Sequence, residues 1–467
     1  MTTTHPEVQQ EWLAQELIKY NRPVPRYTSY PTANEFVPLI EQDYLDALEQ
    51  WDISEEPLSL YIHIPFCKTM CLFCGCSVIL NRDAVNERRY VDYLIQEMEL
   101  LSNRLKRPHV VKQLHFGGGT PTKLEEAELT RVFDSLKRFF TIDFENGEIS
   151  IEIDPRTVYS DEGKKLKFLR NLGFNRVSFG VQDTSDVVQE AIKRRQSYEM
   201  TAKTFYLAQE LGFTGINIDL IYGLPFQTVE TFEQTIKDIL KLSPDRIALF
   251  SYAKIPWLKA HQKAIKDETL PSTEEKFSIY LLARKHFIES GYEAIGMDHF
   301  AKKNDELTKA YENQELQRNF QGYSLKLAEV MLSLGVTSIG YVKSHYIQNL
   351  KDLPSYYAQI DQKKLPILRG IKLTNEDQLR KWVIDTLMCN FELNKNAFLE
   401  KFKESFDVHF KECKEALQQL ILEGLITETA EGIYPTSLGR LLIRNVASVF
   451  DAYLMKSKEK SVFSKAI

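Results

Sequence analysis

Six short, mostly apolar segments recur along the chain, and stretches with helical spacing separate them. The segments predicted as strands are residues 58–64, 111–117, 148–153, 175–180, 215–222 and 245–252. Between them, stretches such as 87–105 and 228–242 have the apolar spacing of amphipathic helices. Strands that alternate with helices predict an α/β fold built from parallel β/α units.

Polar and apolar side chains alternate within these strands. In the third strand, Ser150 and Glu152 occupy one face, and isoleucines occupy the other. Because a strand points successive side chains to opposite faces, the apolar face is expected to pack on the helices. An antiparallel sheet wetted on one side would also alternate, but it would not need the helices. The pattern therefore predicts a barrel or partial barrel with a polar lumen.

The carboxyl ends of the strands are where such a barrel places its chemistry. The sequence puts several polar or glycine-rich features at these ends: a cysteine-rich loop, the segment 117–122, Glu152, Gln182, Asp219 and Ala253. Each would be unremarkable alone, but together they outline one site.

Three regions differ in character along the chain. Residues 1–57 are predicted as an N-terminal arm with helices, 58–371 as the barrel with an extension, and 372–467 as a mostly helical domain. The last region contains a predicted hairpin followed by a helix, which resembles a winged helix. Winged helices often bind nucleic acid, but a fold does not by itself imply a function.

The overall composition is that of a soluble enzyme. The chain has 467 residues, of which 43% are hydrophobic and 27% charged. Its net charge of −6 provides no basic field for nucleic acid. The first residues lack the basic and apolar parts of a secretory signal, and no apolar run is long enough to span a bilayer. We expect a cytoplasmic protein, with neither nucleic acid nor membrane as a partner.

Four of the six cysteines crowd into one short loop, at Cys67, Cys71, Cys74 and Cys76. In a reducing compartment such a group indicates metal binding or redox chemistry more than disulfides. The C-x-x-x-C-x-x-C spacing of the first three suits the thiolate ligands of a [4Fe–4S] cluster. Three ligands leave one iron open to a small molecule, and Cys76 lies too close to Cys74 to be a good fourth ligand.

Two other interpretations of this loop are weaker. Structural zinc usually takes four ligands in two separated pairs, and no second pair is visible in the sequence. Cysteines can also serve as small core residues, which suits the isolated Cys389 and Cys413. Four in ten residues are an unusual way to fill a core, so the cluster interpretation is favoured.

The spacing after a first strand resembles the radical S-adenosylmethionine (SAM) superfamily. A longer resemblance is to the oxygen-independent coproporphyrinogen III oxidase (dehydrogenase) family, and it is carried by the phrases "VPRYTSYPT", "YIHIPFC", "LHFGGGTPT", "ISIEIDPR", "GFNRVSFGVQD", "NIDLIYGLP", "IGMDHFA", "RNFQGY" and "GRLLIRN". They run in order over nearly the whole chain. Related haem chaperones share the loop but usually lack both the arm and a cysteine at the position of Cys76.

This resemblance implies a radical SAM partial (β/α)6 TIM-like barrel with an N-terminal arm and a mostly helical C-terminal domain. It implies a [4Fe–4S] cluster held by Cys67, Cys71 and Cys74, with SAM on the open iron and two SAM molecules in all. Its predicted SAM contacts are Tyr61, Phe73, Gly118, Gly119, Thr120, Glu152, Gln182, Arg194, Asp219, Ala253 and Ile339. Arg194 would bind a carboxylate, and Arg195 is the alternative if the register is off by one.

The implied reaction belongs to haem and porphyrin biosynthesis. One electron from the reduced cluster would split SAM into methionine and a 5′-deoxyadenosyl radical, which takes a hydrogen from a propionate side chain. Loss of CO₂ and one electron leaves a vinyl group, and two rounds convert coproporphyrinogen III to protoporphyrinogen IX. The electron donor and acceptor are unidentified, and a monomer is expected. A haem chaperone and another tetrapyrrole-modifying radical enzyme are the alternatives.

Several residues bear on the substrate. Arg26 in the arm could meet a substrate carboxylate, with Tyr27 and Tyr30 against the macrocycle; alternatively, the arm covers the barrel mouth. The sequence also departs from the family's usual pattern. Lys254 and Gln317 stand where histidine is usual, and the segment 324–332 has the spacing of a helix where the family has a turn. These departures keep the other tetrapyrrole reaction open.

Overall fold

The computed structural model describes residues 18–54, 56–456 and 463. Its centre is a run of six neighbouring parallel strands in chain order: β1 Leu58–Ile64, β2 Val110–Gly118, β3 Glu148–Ile153, β4 Arg176–Gln182, β5 Gly215–Tyr222 and β6 Arg246–Ser251. The predicted six-stranded partial barrel is therefore confirmed, because all six segments form strands in the expected order.

The sheet continues beyond both ends of this run. On one side, β7 (Val330–Leu334) pairs in parallel with β1, and three antiparallel strands follow it: Ile339–Val342, His345–Asn349 and Ile367–Lys372. On the other side, His299–Lys302 pairs antiparallel with β6, and Tyr292–Ile295 pairs with His299–Lys302. The barrel is open, since its two edges do not pair with each other among the described residues.

The predicted helix at 324–332 is wrong. Gly322–Leu325 instead forms a hairpin with Leu316–Asn319, and Val330 begins β7. The apolar residues of this stretch fit either helical or strand spacing. Pairing along the whole of β1 decides for the strand, because strand formation depends on cross-strand neighbours more than on intrinsic preference.

Helices cover the outer face of the sheet and form most of the C-terminal region. They are Glu41–Asp52, Ala84–Ser102, Glu126–Phe139, Lys164–Leu172, Asp186–Ala191, Tyr198–Glu210, Val229–Leu242, Thr273–Glu289, Glu306–Glu312, Leu353–Asp361, Asn375–Asn390, Lys395–Phe402, Phe406–His409, Lys414–Leu422, Ser437–Leu441, Ile443–Ala447 and Ala452–Lys456. None of these helices, which span the part of the chain that the structure describes, is long and apolar enough to cross a bilayer.

Local sequence explains where these helices start and which face they bury. The helix Val229–Leu242 begins with a capping box, in which the Thr228 and Thr231 side chains each bind the other residue's backbone N–H. Its Phe232, Ile236 and Ile239 lie on one face and are fully buried. Burial of that stripe against the sheet holds the helix, as the apolar spacing predicts.

The arm is packed against the end of the chain. Tyr27 and Tyr30 are buried, and the Tyr27 hydroxyl donates to Asp451 Oδ2 at 3.1 Å. The Tyr30 hydroxyl accepts a hydrogen bond from the backbone N–H of Ala452 at 3.1 Å. In this structure the two tyrosines therefore fill the contact between arm and C-terminal segment, not a surface open to a macrocycle.

The C-terminal region contains the predicted hairpin, formed by Ile426–Glu428 and Gly432–Pro435. Cys389 and Cys413 are buried as predicted. One buried apolar cluster includes residues from Tyr27 to Phe450. Because arm, barrel and C-terminal region share this core, the division at residues 57 and 371 stays a prediction.

Candidate active site

A cavity of about 610 Å³ lies at the carboxyl ends of the parallel strands. It contains the cysteine loop and most of the predicted site residues. Those that line it are Cys67, Phe73, Cys71, Cys74, Gly118, Gly119, Thr120, Glu152, Gln182, Arg194 and Asp219. The structure thus brings together eleven residues that the sequence analysis placed in one site.

The cysteine loop is held by backbone hydrogen bonds on its inner side. Cys74 N–H donates to the Cys71 carbonyl at 3.1 Å, and Leu72 N–H donates to the Ile192 carbonyl at 3.0 Å. The loop after β2 is tied to its start, because Thr120 N–H donates to the Phe66 carbonyl at 2.9 Å. These bonds fix the path of the loop and leave all four of its cysteines, Cys76 included, on the cavity wall.

A second segment holds the outer side of the loop, and we call residues 259–262 the clasp. Lys259 Nζ donates to the Cys76 carbonyl at 2.7 Å, and His261 Nε2 donates to the Cys74 carbonyl at 2.8 Å. Gln262 Nε2 donates to the Phe73 carbonyl at 2.8 Å. The clasp satisfies carbonyls that would otherwise lie unpaired at the surface of a short loop. No local pattern in the sequence predicts it, because residues 259–262 are far from the cysteines along the chain.

The three thiols have different surroundings. Cys67 Sγ lies 3.3 Å from Thr120 Oγ1, and burial raises the pKa of Cys67 to about 11. Cys71 Sγ accepts hydrogen bonds from Arg194 Nη1 at 3.6 Å and Arg156 Nη2 at 3.8 Å. A hydrogen bond from the Cys76 thiol lowers the pKa of Cys74 to about 7.

Arg194 lines the cavity and Arg195 does not, so of the two arginines only Arg194 is placed to meet a ligand there. Arg194 Nη1 lies 3.1 Å from Asp154 Oδ2, and its Nη2 donates to the Gly180 carbonyl at 2.6 Å. Its Nε is buried without a hydrogen-bond partner among the described residues. Arg195 is exposed and pairs with Glu190.

Asp154 and Arg156 complete this charged side of the cavity. Arg156 Nη2 lies 2.6 Å from Asp154 Oδ2. Burial favours a raised pKa for Asp154, but the charges of Arg194 and Arg156 outweigh it and hold that pKa below its usual range. Neither residue was predicted from the sequence as part of the site, although both stand in "IDPR" directly after β3.

Glu152 lies on another wall of the cavity, where its carboxylate packs against the backbone of the glycine run at residues 117–119. Its Oε2 accepts from Gly118 N–H at 3.2 Å, and its Oε1 lies 3.3 Å from His115 Nε2. Burial favours a raised pKa for Glu152, but the hydrogen bond and charge of His115, together with the hydrogen bond from Gly118, outweigh it and lower that pKa. A Cβ at Gly117 would lie 2.8 Å from Glu152 Oε1, and one at Gly119 would lie 2.6 Å from the Pro65 carbonyl oxygen. The close approach therefore requires glycine.

Asp219 lies among polar side chains of the lumen. Asn217 Nδ2 donates to one carboxylate oxygen at 2.7 Å, and Ser178 Oγ donates to the other at 3.1 Å. Burial, followed by the charge of Glu152, raises the pKa of Asp219 to about 6. Gln182 has a φ of 73° and follows an irregularity in the pairing of β4 with β5, which aims it into the cavity.

Three predicted contacts are not on the cavity wall. Tyr61 lies in the lumen one layer below Glu152, where its hydroxyl is 3.0 Å from His63 Nδ1. The Ala253 carbonyl accepts a hydrogen bond from Gln262 Nε2 at 3.3 Å. Ile339 packs against the buried cluster of Phe36, Tyr346 and Leu373. The proposed roles of these three residues stay predictions.

The tip of the hairpin that follows Leu316 is part of the cavity. Phe320 and Gln321 both line it, although their segment is far from the barrel strands in sequence. Both residues belong to the "RNFQGY" segment of the family resemblance, but neither was predicted as a site residue. The long connection that returns them to the lumen could not be predicted from local pattern.

The residues that depart from the family's usual pattern have partners of their own. Lys254 Nζ donates to the Ile265 carbonyl at 2.7 Å and pairs with Asp267 at 2.5 Å. Gln317 Nε2 donates to the Leu325 carbonyl at 2.9 Å. Neither side chain lines the cavity, so the cysteine site is complete without them.

Comparison with known proteins agrees with this geometry. A model described as the radical SAM superfamily matches residues 61–239, and one described as the HemN C-terminal domain matches residues 373–442. A protein of Salmonella typhimurium named oxygen-independent coproporphyrinogen III oxidase is 43% identical over 99% of this chain and all of its own. One of the same name from Synechocystis sp. is 41% identical over the full length of both.

The chain belongs to the oxygen-independent coproporphyrinogen III oxidase family. A solved structure described as the coproporphyrinogen III oxidase HemN of Escherichia coli, a radical SAM enzyme, superposes with a TM-score of 0.89. It is 42% identical and covers 94% of this chain and 98% of its own. Family membership therefore extends over the arm and C-terminal region as well as the barrel.

A protein of this family holds a [4Fe–4S] cluster and SAM, and the residues of the cavity fit both groups. Three thiols share one wall, and two guanidinium groups on Cys71 favour an anionic thiolate-bound cluster. The orphaned Arg194 Nε and the Asp219 and Glu152 carboxylates provide opposite charges for the zwitterionic end and the hydroxyls of SAM.

Proposed function

We propose that this chain is an oxygen-independent coproporphyrinogen III oxidase. It would decarboxylate two propionate side chains of coproporphyrinogen III to vinyl groups and release protoporphyrinogen IX. The observation that carries the proposal is the shared cavity of Cys67, Cys71 and Cys74, with its paired charges, in a chain that matches relatives of that name along its whole length.

Different residues of the cavity would bind the cluster and the separate parts of SAM. When bound, the cluster and SAM supply a carbon radical that can abstract a hydrogen atom. Cys67, Cys71 and Cys74 would hold the cluster and leave one iron for SAM. Arg194 would bind the SAM carboxylate, and Asp219 would accept hydrogen bonds from ribose hydroxyls.

The remaining predicted contacts belong to the same proposal. Phe73, Gly118, Gly119 and Thr120 form the wall beside the thiols, where the missing side chains of the glycines let a ligand approach the backbone. Tyr61, Ala253 and Ile339 lie outside this wall and are proposed as contacts of a second SAM molecule. Phe320 and Gln321 would cover the cavity from the hairpin side and exclude water.

Excess positive charge near the arm suits a substrate with four carboxylates. Arg26 Nη2 donates to the Ser251 carbonyl at 3.2 Å, and Arg318 lies 3.5 Å from Asp298. Arg444 lies beside them, and burial together with the charges of Arg26 and Arg318 lowers its pKa to about 9. Arg26 and Arg318 both act on the Asp298 carboxylate, so two guanidinium groups share one carboxylate and a substrate propionate could balance the charge.

The test is an anaerobic assay of the reconstituted protein with dithionite, SAM and coproporphyrinogen III. We expect 5′-deoxyadenosine and protoporphyrinogen IX together, with both lost in Cys71→Ala. 5′-Deoxyadenosine without vinyl product would keep a radical enzyme and discard this substrate. Neither product from protein with an intact cluster would favour a haem chaperone.

A further inference from the structure

Gln182 and Arg194, two of the predicted SAM contacts, lie side by side although the helix Asp186–Ala191 separates them along the chain. A Cβ at Gly180 would lie 2.9 Å from Gln182 Nε2 and 3.2 Å from Arg194 Nη2. Gln182 ends β4 with a left-handed φ of 73°, and Arg194 lies in the loop after the helix. Such positions keep a defined geometry only when surrounding residues hold them, so those surroundings bear on the site.

Asp183, directly after Gln182, is fully buried and lies outside the cavity wall. Its carboxylate accepts hydrogen bonds from Ser185 N–H at 2.7 Å, Thr235 Oγ1 at 3.0 Å and Gln227 Nε2 at 2.6 Å. Among the described residues it forms no ion pair. Burying a carboxylate without a cation costs free energy, which these hydrogen bonds offset. They fix the backbone at the point where Gln182 turns into the cavity.

Gln227 connects this carboxylate to the carboxyl end of β5. Its Nε2 also donates to the Ile221 carbonyl at 2.8 Å, and its Oε1 accepts from Leu224 N–H at 2.9 Å. Ile221 lines the cavity, and Asp219 stands two residues before it on the same strand. The ends of β4 and β5, which carry Gln182 and Asp219, are therefore joined through buried hydrogen bonds.

Gln189 makes the corresponding connection to the loop that carries Arg194. Its Nε2 donates to the carbonyls of Asp183 at 2.8 Å and Gln196 at 2.6 Å, and its Oε1 accepts from Gln196 N–H at 2.7 Å. Its own carbonyl accepts from Arg194 N–H at 2.8 Å. The side chain is buried outside the cavity wall. We call Asp183, Gln189 and Gln227 the polar bridge, because together they join three segments of the site.

We propose that the polar bridge positions Gln182 and Arg194, and thereby sets the affinity for SAM without contacting it. Stability alone does not require such a group, because apolar side chains of the same shape can replace buried hydrogen-bonded pairs at little cost. Each residue of the bridge instead binds two segments at once, which fixes one relative to the other. The inference rests on the proposed function, since that function makes SAM the ligand of the two positioned residues.

The experiment compares two bridge variants with a matched control. Asp183→Asn replaces one acceptor by a donor, and Gln189→Met keeps the length of the side chain but removes its hydrogen bonds. The control is Asp52→Asn, because Asp52 is a buried carboxylate that binds His109 at 2.6 Å and Lys106 N–H at 2.9 Å beside the start of β2. Calorimetry measures the dissociation constant of SAM for the reconstituted protein. Electron paramagnetic resonance follows the dithionite-reduced cluster with and without SAM.

We expect Asp183→Asn and Gln189→Met each to raise the dissociation constant of SAM about tenfold, the usual effect of losing a residue that holds a ligand-binding group in place. The resonance of the reduced cluster without SAM should be unchanged, whereas the change that SAM causes should need about tenfold more SAM. Asp52→Asn should lower the midpoint of thermal unfolding and leave SAM affinity as in the unchanged protein.

Combined variants test whether the bridge acts through the residues it holds. In an Arg194→Lys background, Gln189→Met should weaken SAM binding little further, because substitutions that act on one unit do not add. Asp183→Asn together with Gln227→Glu exchanges donor and acceptor in their hydrogen bond. That pair should bind SAM more tightly than Asp183→Asn alone.

Unchanged SAM affinity in folded Asp183→Asn and Gln189→Met would overturn the proposal, as would an equal weakening in Asp52→Asn. Fully additive losses with Arg194→Lys would show that Gln189 does not act through Arg194. If one bridge variant loses its cluster, the other carries the test. SAM binding by the unchanged protein without vinyl product would count against the proposed function alone, because no measurement here uses coproporphyrinogen.

Discussion

Two buried polar centres in this molecule are built in opposite ways. One surrounds Cys71, where Arg156 and Arg194 converge on a thiol and Arg194 Nε has no partner among the described residues. The other surrounds Glu97, on the helix Ala84–Ser102, whose carboxylate accepts hydrogen bonds from Gly335 N–H, Asn349 Nδ2 and Tyr356 Oη at 2.7, 2.6 and 2.5 Å. The first centre has one unused donor, Arg194 Nε, and faces a cavity, whereas the second is closed.

This difference indicates that the centre at Cys71 serves ligand binding, whereas the centre at Glu97 serves the stability of the fold. A buried donor without a partner costs free energy, so a fold keeps one where a ligand completes it. A closed network such as that of Glu97 joins a helix to the turn after β7 and has nothing left to offer a ligand. Substitutions at the two centres should therefore have different readouts.

The largest effect is expected for Cys71→Ala. Loss of one of three thiolates should remove the cluster, so activity should fall to background. Iron and sulfide content and visible absorbance measure this directly. Cys413→Ala is the matched control, because Cys413 is buried outside the cavity and its loss should leave iron content unchanged. Full iron occupancy in Cys71→Ala would show that the loop does not hold the cluster as proposed.

Arg194→Lys should come next. Lysine keeps the charge but not the forked geometry, so the KM for SAM should rise by about tenfold to a hundredfold, the usual cost of one charged hydrogen bond. The cluster should remain, and SAM cleavage kinetics provide the measurement. Arg195→Lys, at an exposed position, should behave as the unchanged protein. Equal effects at the two positions would refute the assignment to Arg194.

For Glu97 we expect pH to change the free energy of unfolding and to leave the reaction in the cavity unaffected. Burial raises the pKa of Glu97 to about 7, so the folded state holds this proton more tightly than the unfolded chain. The resulting stabilisation is present below about pH 4.5 and is lost as the pH rises to about 7. It amounts to about 3 kcal/mol, from about 1.4 kcal/mol for each unit of pKa.

Glu97→Gln removes this titration. Urea unfolding at pH 4.5 and pH 8 should show that the variant lacks the decline that the unchanged protein shows between these values. Cluster content and SAM affinity should stay the same. An equal decline in the stability of both proteins would mean that other groups cause it. Loss of the cluster in Glu97→Gln would contradict the separation of the two centres into one for binding and one for stability.

Tyr27→Phe should have the smallest effect. It removes one hydrogen bond to Asp451 in the contact between arm and C-terminal segment, at a cost of about 1 kcal/mol. Thermal unfolding measures that loss. A large rise in KM for substrate with no loss of stability would instead favour the macrocycle contact predicted for this residue from the sequence.

The sequence predicted the barrel well because lumen and core impose opposite polarity on alternate residues. That rule applies to β1–β6, and all six are where the pattern puts them. It failed at 324–332 because the apolar spacing there suits two structures. Only pairing with β1, which lies more than two hundred residues earlier, distinguishes them.

The candidate site was predictable where chemistry is concentrated in one segment. The cysteines, the glycine run and Glu152 stand at strand ends, so topology alone brings them together. The clasp could not be found in this way, because His261 and Cys74 are 187 residues apart and meet through tertiary folding. Asp154 and Arg156 were visible at a strand end, but their pairing with Arg194 appears only in three dimensions.

The open barrel has a consequence for the size of ligand it can receive. A closed barrel of parallel strands admits a ligand through its ends, and the number of strands limits the opening. Here the two edges of the sheet stay apart, and the hairpin Leu316–Leu325 stands in the lumen, with Gln317 bound near β2 and Arg318 bound to Asp298. A wide, flat molecule could enter sideways, and the breaking of these hairpin contacts would then limit how fast it enters and leaves.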